Sequence, residues 1–467
     1  MAELADARDL KSRIPSSGCE GSTPSRGILV CLGFSVLKLR RFFLVYKLMN
    51  NFISFVGMVS LLLIGYLLSE NKKRIQWRTI LWGTFLQIIF GFLVLKTLPG
   101  RWFFEFFNKV FVKLVSFSDL GAEFIFGELV TNTEKFGYIF AFKVLPTIIF
   151  FSAIMSVLYY WGVMQWVVEF FARVMVKLMK VSGAESLSCS ANIFVGQTEA
   201  PLMIRPYVST MTRSELLAVM CGGMATIAGG VMAAYVSLLS GYVKDIAGHL
   251  MTASVMSAPA ALVFAKLLVP ETEEPATLGH VKVKYEVNDV NILDAIANGT
   301  VLGVKLAVNV GGMLISFMAI LYLLNYMLAL CGNTLPFEFT RNLSFDKLFG
   351  VIFAPITFLM GVEVKDIYLA GQFIGQKTFF NEFVAYANMA KSYLADPNIF
   401  SHRTAIILSY ALCGFSNFLS IGIQIGGIGA IAPERKHDLA KLGIKALIAS
   451  TLACLQTATI AGFLLAK

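Results

Sequence analysis

The sequence predicts an all-α integral membrane protein of about eight spanning helices, with two re-entrant hairpins, interfacial amphipathic helices and an inverted repeat. Three observations carry this. First, 57% of the 467 residues are hydrophobic and only 15% are charged, against about 45–50% and about 25% in soluble domains. Mean hydropathy is +0.72, so a bilayer is the solvent that accepts such a surface. Second, apolar segments long enough to cross a core of about 30 Å recur along the chain. Third, two polar segments fail as spans yet sit between apolar ones, and their flanking helices are interrupted by glycine.

Residues 1–27 are polar, and 28–48 are broken by Lys38, Arg40, Arg41 and Lys47. Segment 1–48 therefore reads as a leader or upstream stretch outside the fold, which starts near Met49. Spans follow at 52–69 and 79–97. The loop at 70–78 carries four basic residues against one acid, so it is expected on the cytoplasmic side. Two stretches, 102–118 and 163–180, put charge on one helical face and apolar side chains on the other. In the second, Glu169, Arg173, Lys177 and Lys180 recur at helical spacing, and such helices lie in the membrane interface. Between them, 138–160 is a span containing Pro146. Further spans are expected near 216–240, 248–269, 300–330, 403–430 and 443–466, with the polar segment 271–291 linking two halves. The basic loop 434–445 is again cytoplasmic, which leaves the C-terminus outside. The division is thus 49–182 as scaffold, 183–270 as one transport half, 271–362 as linker and scaffold, and 363–467 as the other transport half.

The informative segments are the polar ones. Residues 183–209 hold Glu185, Asn192, Gln197, Glu199, Pro201, Arg205 and Pro206. A lipid-facing helix of that content costs about 2.5–3.5 kcal/mol per central charge. Two half-helices of about ten residues each, folded back within the protein, avoid that cost. Residues 363–394 repeat the pattern with Asp366, Gln376, Lys377, Asn381 and Glu382. Each hairpin carries a Gly-Gln step, Gly196-Gln197 and Gly375-Gln376, before a glutamate, and a Gly-interrupted span follows each. Paired interrupted segments in two halves point to a transport site at a repeat interface.

Glu199 and Glu382 lead the candidates, because ionisable groups at membrane depth are functional by default. The plainer alternative pairs Glu199 with Arg205 and Glu382 with Lys377. A carboxylate accepts from vicinal hydroxyls, while Gln197 and Asn417 offer both donor and acceptor. Asn192 and Thr226 supply oxygen beside unwound backbone, as a hard cation requires. For Thr226 the competing role is helix packing by a small polar residue. The seven cysteines form no CxxC pair and the four histidines are scattered, so neither type receives a role. The net charge of +10 falls in short loops, which favours membrane orientation over nucleic-acid binding. An intramembrane enzyme lacks a His or a paired base in the hairpins, and a channel needs no pair of closing hairpins.

Several stretches resemble the concentrative nucleoside transporter family: Val195-Gly196-Gln197-Thr198-Glu199-Ala200-Pro201, the run from Ala225 to Tyr235, and Asn381-Glu382-Phe383-Val384-Ala385-Tyr386. Gly414-Phe415-Ser416-Asn417 with Ser420, and the run after Pro433, are similar too. The likeness extends from about 49 to 467. It implies a homotrimer in a bacterial cytoplasmic (inner) membrane, importing nucleosides such as uridine by sodium symport. Gln197, Thr198 and Glu199 would meet the nucleobase, with Val231 nearby. Glu382, Asn417 and Ser420 would meet the ribose, with Phe415 lining the pocket. Asn192, the Val195 carbonyl, Thr226 and the Ile227 carbonyl would hold the co-transported Na+. Proton coupling is the alternative, and the small residues Gly196 and Gly230 set no preference between purine and pyrimidine.

Overall fold

The computed structural model describes residues 49–137, 139–279, 289–334 and 343–465. The leader expectation for 1–48 and the middle of the 271–291 linker lie outside the described residues. Helix α1 spans Met49–Leu67 and α2 spans Trp77–Lys96. The turn Lys72–Arg74 between them keeps its basic side chains exposed. Helix α3, Leu98–Phe126, runs 29 residues, well beyond the amphipathic stretch expected at 102–118. It starts where the Thr97 hydroxyl accepts the Gly100 N–H and Pro99 supplies a fixed φ at the first turn. After short turns come α4, Phe140–Tyr160, and the amphipathic α5, Val163–Met179. The chain enters α5 through Gly162 at φ 76°, a conformation glycine adopts without a steric cost.

Helix α6, Gly183–Ala191, is the first arm of hairpin 1. A capping box holds its start: Ser182 accepts from the Glu185 N–H and Glu185 accepts from the Ser182 N–H. The second arm departs from expectation. It is a 3-10 segment, Ala200–Ile204, plus a single α turn, Arg205–Val208, because Pro201 and Pro206 each remove a backbone donor. Helices α7, Arg213–Ala225, and α8, Gly229–Leu239, form one broken span. Thr226 sits extended at φ −119°, ψ 174° in the break. Helix α9, Ile246–Leu268, closes the first half.

The second half opens on α10, Ile292–Asn333, of 42 residues. Helix α11, Phe345–Leu359, is a helix the sequence reading did not separate from its linker. Hairpin 2 has two ordinary arms, α12 at Ile367–Phe379 and α13 at Glu382–Ala395. A broken span follows, α14 at His402–Leu412 and α15 at Phe418–Ile431, and then α16 at Lys436–Leu464. The order span, amphipathic helix, hairpin, broken span, span therefore occurs twice.

Ion pairs in one half and hydrogen bonds in the other give the two halves opposite directions. Glu70 is reached by Arg213 at 2.9 Å and also by Lys445, so α7 and α16 start at the end carrying the basic 70–78 loop. Arg403, at the start of α14, donates to the Gly361 and Asn50 carbonyls and to Asn51 and Ser54 at the start of α1. The broken helix of one half thus begins at one end of the molecule, and that of the other half at the opposite end.

Seven helices among the described residues are long and apolar enough to cross a membrane, counting Arg213–Leu239 as one. The eighth expected span, 403–430, is divided so that only Phe418–Ile431 remains as a shorter apolar helix. Helices α7–α8 and α9 are 89% and 94% buried over their most apolar windows, whereas α10 is 6% buried. The repeat helices form the interior, and α10 leaves apolar surface for a bilayer to cover.

Candidate functional site

The two helix breaks touch each other. The Phe415 N–H donates to the Thr226 carbonyl at 3.3 Å. Gly414 makes this approach possible, since a Cβ there would stand 2.9 Å from the Ala225 carbonyl oxygen. Around this contact the freed ends of α7, α8, α14 and α15 and both hairpin tips converge.

Hairpin 2 contributes Glu382, the first residue of α13, just after Asn381 caps that helix by accepting the Val384 N–H. Glu382 is 4% exposed. Its carboxylate accepts from the Tyr235 hydroxyl at 3.0 Å and from the Asn417 amide at 2.9 Å. Asn417 also caps α15, its oxygen accepting the Ser420 N–H at 2.9 Å. Hairpin 1 reaches the same helix from the other side. Gln197 donates to the Ser420 hydroxyl at 3.3 Å, and its oxygen accepts from Gln424 at 3.1 Å. A continuous hydrogen-bonded chain thus runs from Gln424 through Gln197, Ser420, Asn417 and Glu382 to Tyr235, linking both hairpins through the first turns of α15.

The plain pairings weighed from sequence do not form. Lys377 donates to the Ala411 carbonyl at 2.7 Å, satisfying an end carbonyl of α14. Arg205 is exposed, and no ion pair joins it to Glu199 among the described residues. Glu199 instead faces a cavity of about 190 Å³ shared by the hairpin 1 tip, the start of α8, α4 and α10. Val195, Gly230, Val231, Ser152, Tyr159 and Asp289 are among its walls. The Thr198 hydroxyl donates to the Glu199 carboxylate at 3.3 Å. Gln197 and Glu199 therefore look in different directions from one tip, one toward α15 and one toward α4 and α10. A larger hollow of about 860 Å³ between α3, α4 and α10 is lined by side chains such as Ile125, Phe150 and Val308, with no ionisable group.

The segments that carry the four candidate sodium positions are bonded to each other. The Phe194 carbonyl accepts the Gly229 N–H at 2.8 Å, stitching the hairpin 1 tip to the α7–α8 break. This joins the segment carrying Asn192 and Val195 to the break carrying Thr226 and Ile227. The Asn192 amide nitrogen donates to the Ser188 carbonyl, while its oxygen is fully buried without a partner. Thr226 donates its hydroxyl proton to the Gly222 carbonyl at 2.9 Å, which leaves its lone pairs free. A buried oxygen with nothing to accept is the chemistry a bound hard cation would complete.

The sequence reading missed Tyr235 and Gln424. Tyr235 closes a motif already quoted, and Gln424 is the one amide within the apolar run Phe418–Ile431, which was the available signal. It also missed a buried ion cluster. Lys266 bridges Glu185 at 2.8 Å and Glu271 at 3.0 Å, and also donates to Ser214. These bonds tie hairpin 1 to α7 and α9.

Comparison with known proteins places these features in a group. The family description "Na+ dependent nucleoside transporter C-terminus" matches residues 249–462, its N-terminal counterpart matches 56–129, and "Nucleoside recognition" matches 141–241. An "uncharacterized transporter" of Haemophilus influenzae is 44% identical over 88% of this chain and 96% of its own. Solute carrier family 28 member 3 of Mus musculus is 42% identical over 89% of this chain, which spans 59% of that relative's length. The solved structure of CNTnw in an inward-facing substrate-bound state superposes with a TM-score of 0.80 at 39% identity, covering 90% of this chain and 98% of that one.

Proposed function

Because the chain belongs to the sodium-dependent, concentrative nucleoside transporter family, we propose that it imports nucleosides across a bacterial cytoplasmic membrane by sodium symport. It is a multi-pass membrane transporter and not an enzyme. The observation that carries the proposal is the joining of Gln197 on hairpin 1 to Glu382 on hairpin 2 through Ser420 and Asn417. A nucleoside has one hydrogen-bonding end and one polyhydroxyl end, so a site needs amides at one side and a carboxylate at the other. In this reading Gln197, Thr198 and Glu199 with Val231 receive the base, and Glu382, Asn417 and Ser420 beside Phe415 receive the ribose. Substrate would replace the direct Gln197–Ser420 bond with bonds to itself.

Sodium enters as a second substrate. Asn192, the Val195 carbonyl, Thr226 and the Ile227 carbonyl would hold it, and the unpartnered Asn192 oxygen supports that assignment. The likeness to transporters of bacteria fits a cytoplasmic-membrane site, and a homotrimer is part of the same reading, with the exposed apolar face of α10 shared between lipid and neighbouring copies. Titration of the purified protein with uridine in sodium and in choline tests this reading. Binding that needs sodium supports it, and binding indifferent to sodium contradicts the symport assignment, leaving proton coupling as the reading to pursue.

A further inference from the structure

The inverted repeat makes a correspondence that the sequence does not display. Helices α8 and α15 are the second pieces of the two broken spans, starting at Gly229 and Phe418. Their third residues are Val231 and Ser420, both at the candidate site. Their seventh residues are Tyr235 and Gln424, and each reaches across to the hairpin of the other half. Tyr235 donates to Glu382 at 3.0 Å and Gln424 donates to Gln197 at 3.1 Å.

Gln424 is fully buried, and its direction is set on the nitrogen side alone, its oxygen having no partner among the described residues. Its amide nitrogen also donates to the Met220 carbonyl at 3.4 Å. A carbonyl can only accept, so turning the Gln424 amide over would set oxygen against oxygen. The nitrogen therefore stays toward Met220 and toward Gln197. Gln197 must in turn present its oxygen to Gln424, which leaves its nitrogen, with two protons, for Ser420 and for whatever enters the site. Gly223 provides the room, because a Cβ there would collide with the Gln424 amide nitrogen and stand 2.9 Å from the Gln197 Cβ.

We propose that Gln424 is a specificity-determining positioning residue, which fixes the Gln197 amide as a hydrogen-bond donor toward the base and so selects bases that offer an acceptor there. This rests on the nucleoside reading above. Tyr235 does the same in the other half, directing the carboxylate of Glu382.

The test compares uptake of uridine, cytidine and 2′-deoxyuridine into proteoliposomes by the wild type and by Gln424→Leu. Uridine and cytidine share a ribose and differ along one base edge, where a C4 carbonyl beside an N3–H becomes an amino group beside a bare N3, so donor and acceptor exchange places. With Gln424 gone, the Gln197 amide can turn over, and the ratio of the uridine to cytidine KM should move by about fivefold or more. The uridine to 2′-deoxyuridine ratio should move less than the base ratio, within about twofold, since the Glu382 and Asn417 contacts to the ribose are untouched and only Ser420 faces the turned amide. Gln424→Glu offers only acceptors when ionised. It should turn the Gln197 nitrogen toward itself and shift the base ratio as well, and it carries the test if the leucine variant does not fold. A uridine to cytidine ratio unchanged in a folded, transporting variant overturns the inference alone. A wild type that takes up no nucleoside overturns the functional reading and this inference with it.

Discussion

The Tyr235 hydroxyl donates to the Glu382 carboxylate at 3.0 Å, joining the second piece of one broken helix to the first residue of the opposite hairpin's second arm. Neither group faces water: Tyr235 is 0% and Glu382 4% exposed. Tyr235→Phe removes the donor and keeps the ring, which also packs against Phe383 and Tyr386. A hydrogen bond to a charged acceptor contributes about 1.5–3 kcal/mol. Part of that is recovered when substrate hydroxyls take the vacant lone pair. Tyr235→Phe should raise the KM for uridine by about tenfold or less, while the uridine to cytidine ratio stays near wild type. Uptake kinetics of the folded variant check this, and a shifted base ratio with an unchanged uridine KM contradicts it.

Glu382→Gln keeps the shape and removes the charge. Uridine binding should weaken by about 10- to 150-fold, at about 1.4 kcal/mol per tenfold. A deoxynucleoside has already lost part of that bond, so the same substitution should penalise it less, as in a double-mutant cycle. Glu199→Gln should respond to changes in the base, since Glu199 shares its cavity with Val231, which the proposed site also places against the base. Calorimetric titration of both variants with uridine, a deoxy analogue and a base-modified analogue checks this. Equal losses across all three would make each glutamate an anchor of its hairpin only.

Much of this was legible in the sequence, for identifiable reasons. Spans such as Trp77–Lys96 and Phe140–Tyr160 emerge because an uninterrupted apolar run has one stable form in lipid. Asn381 and Asn417 sat in motifs whose capping role follows from residue type. What failed was correspondence between distant segments. The two Gly-Gln steps look equivalent, yet Gln197 lies at a hairpin tip facing Ser420 and Gln424. Gln376 lies within α12, donating to Asp346 and accepting from Asn388. The true equivalence, Tyr235 with Gln424, joins unlike residues and depends on helix starts that only backbone geometry fixes. Lys266 was hidden differently: one cation inside a long apolar span reads as an interruption until its partners Glu185 and Glu271 are seen.

That buried cluster makes a stability prediction. Lys266→Met leaves two carboxylates at 1% and 7% side-chain exposure without their cation. Removing one partner of a buried ion pair costs about 3–5 kcal/mol. The variant should show a lower Tm in detergent and reduced membrane abundance. Replacing Lys266, Glu185 and Glu271 together by apolar residues should recover much of the loss. Equal Tm for the single variant and the wild type would mean that the cluster contributes nothing.

Thr226→Val keeps the branched shape in the α7–α8 break and removes the hydroxyl that donates to Gly222. It should raise the sodium concentration for half-maximal uptake more than it changes the uridine KM measured at saturating sodium. Sodium activation curves for the two proteins check this. Superimposable curves would remove Thr226 from the ion site and leave it a packing role.

The central claim is that a sodium gradient drives a nucleoside through the site between the two hairpins. Radiolabelled uridine uptake into proteoliposomes tests it most directly, with the sodium gradient and the pH gradient imposed separately. The account predicts saturable accumulation with an inward sodium gradient at symmetrical pH, lost in Glu382→Gln. Accumulation that ignores sodium and follows the pH gradient would contradict it.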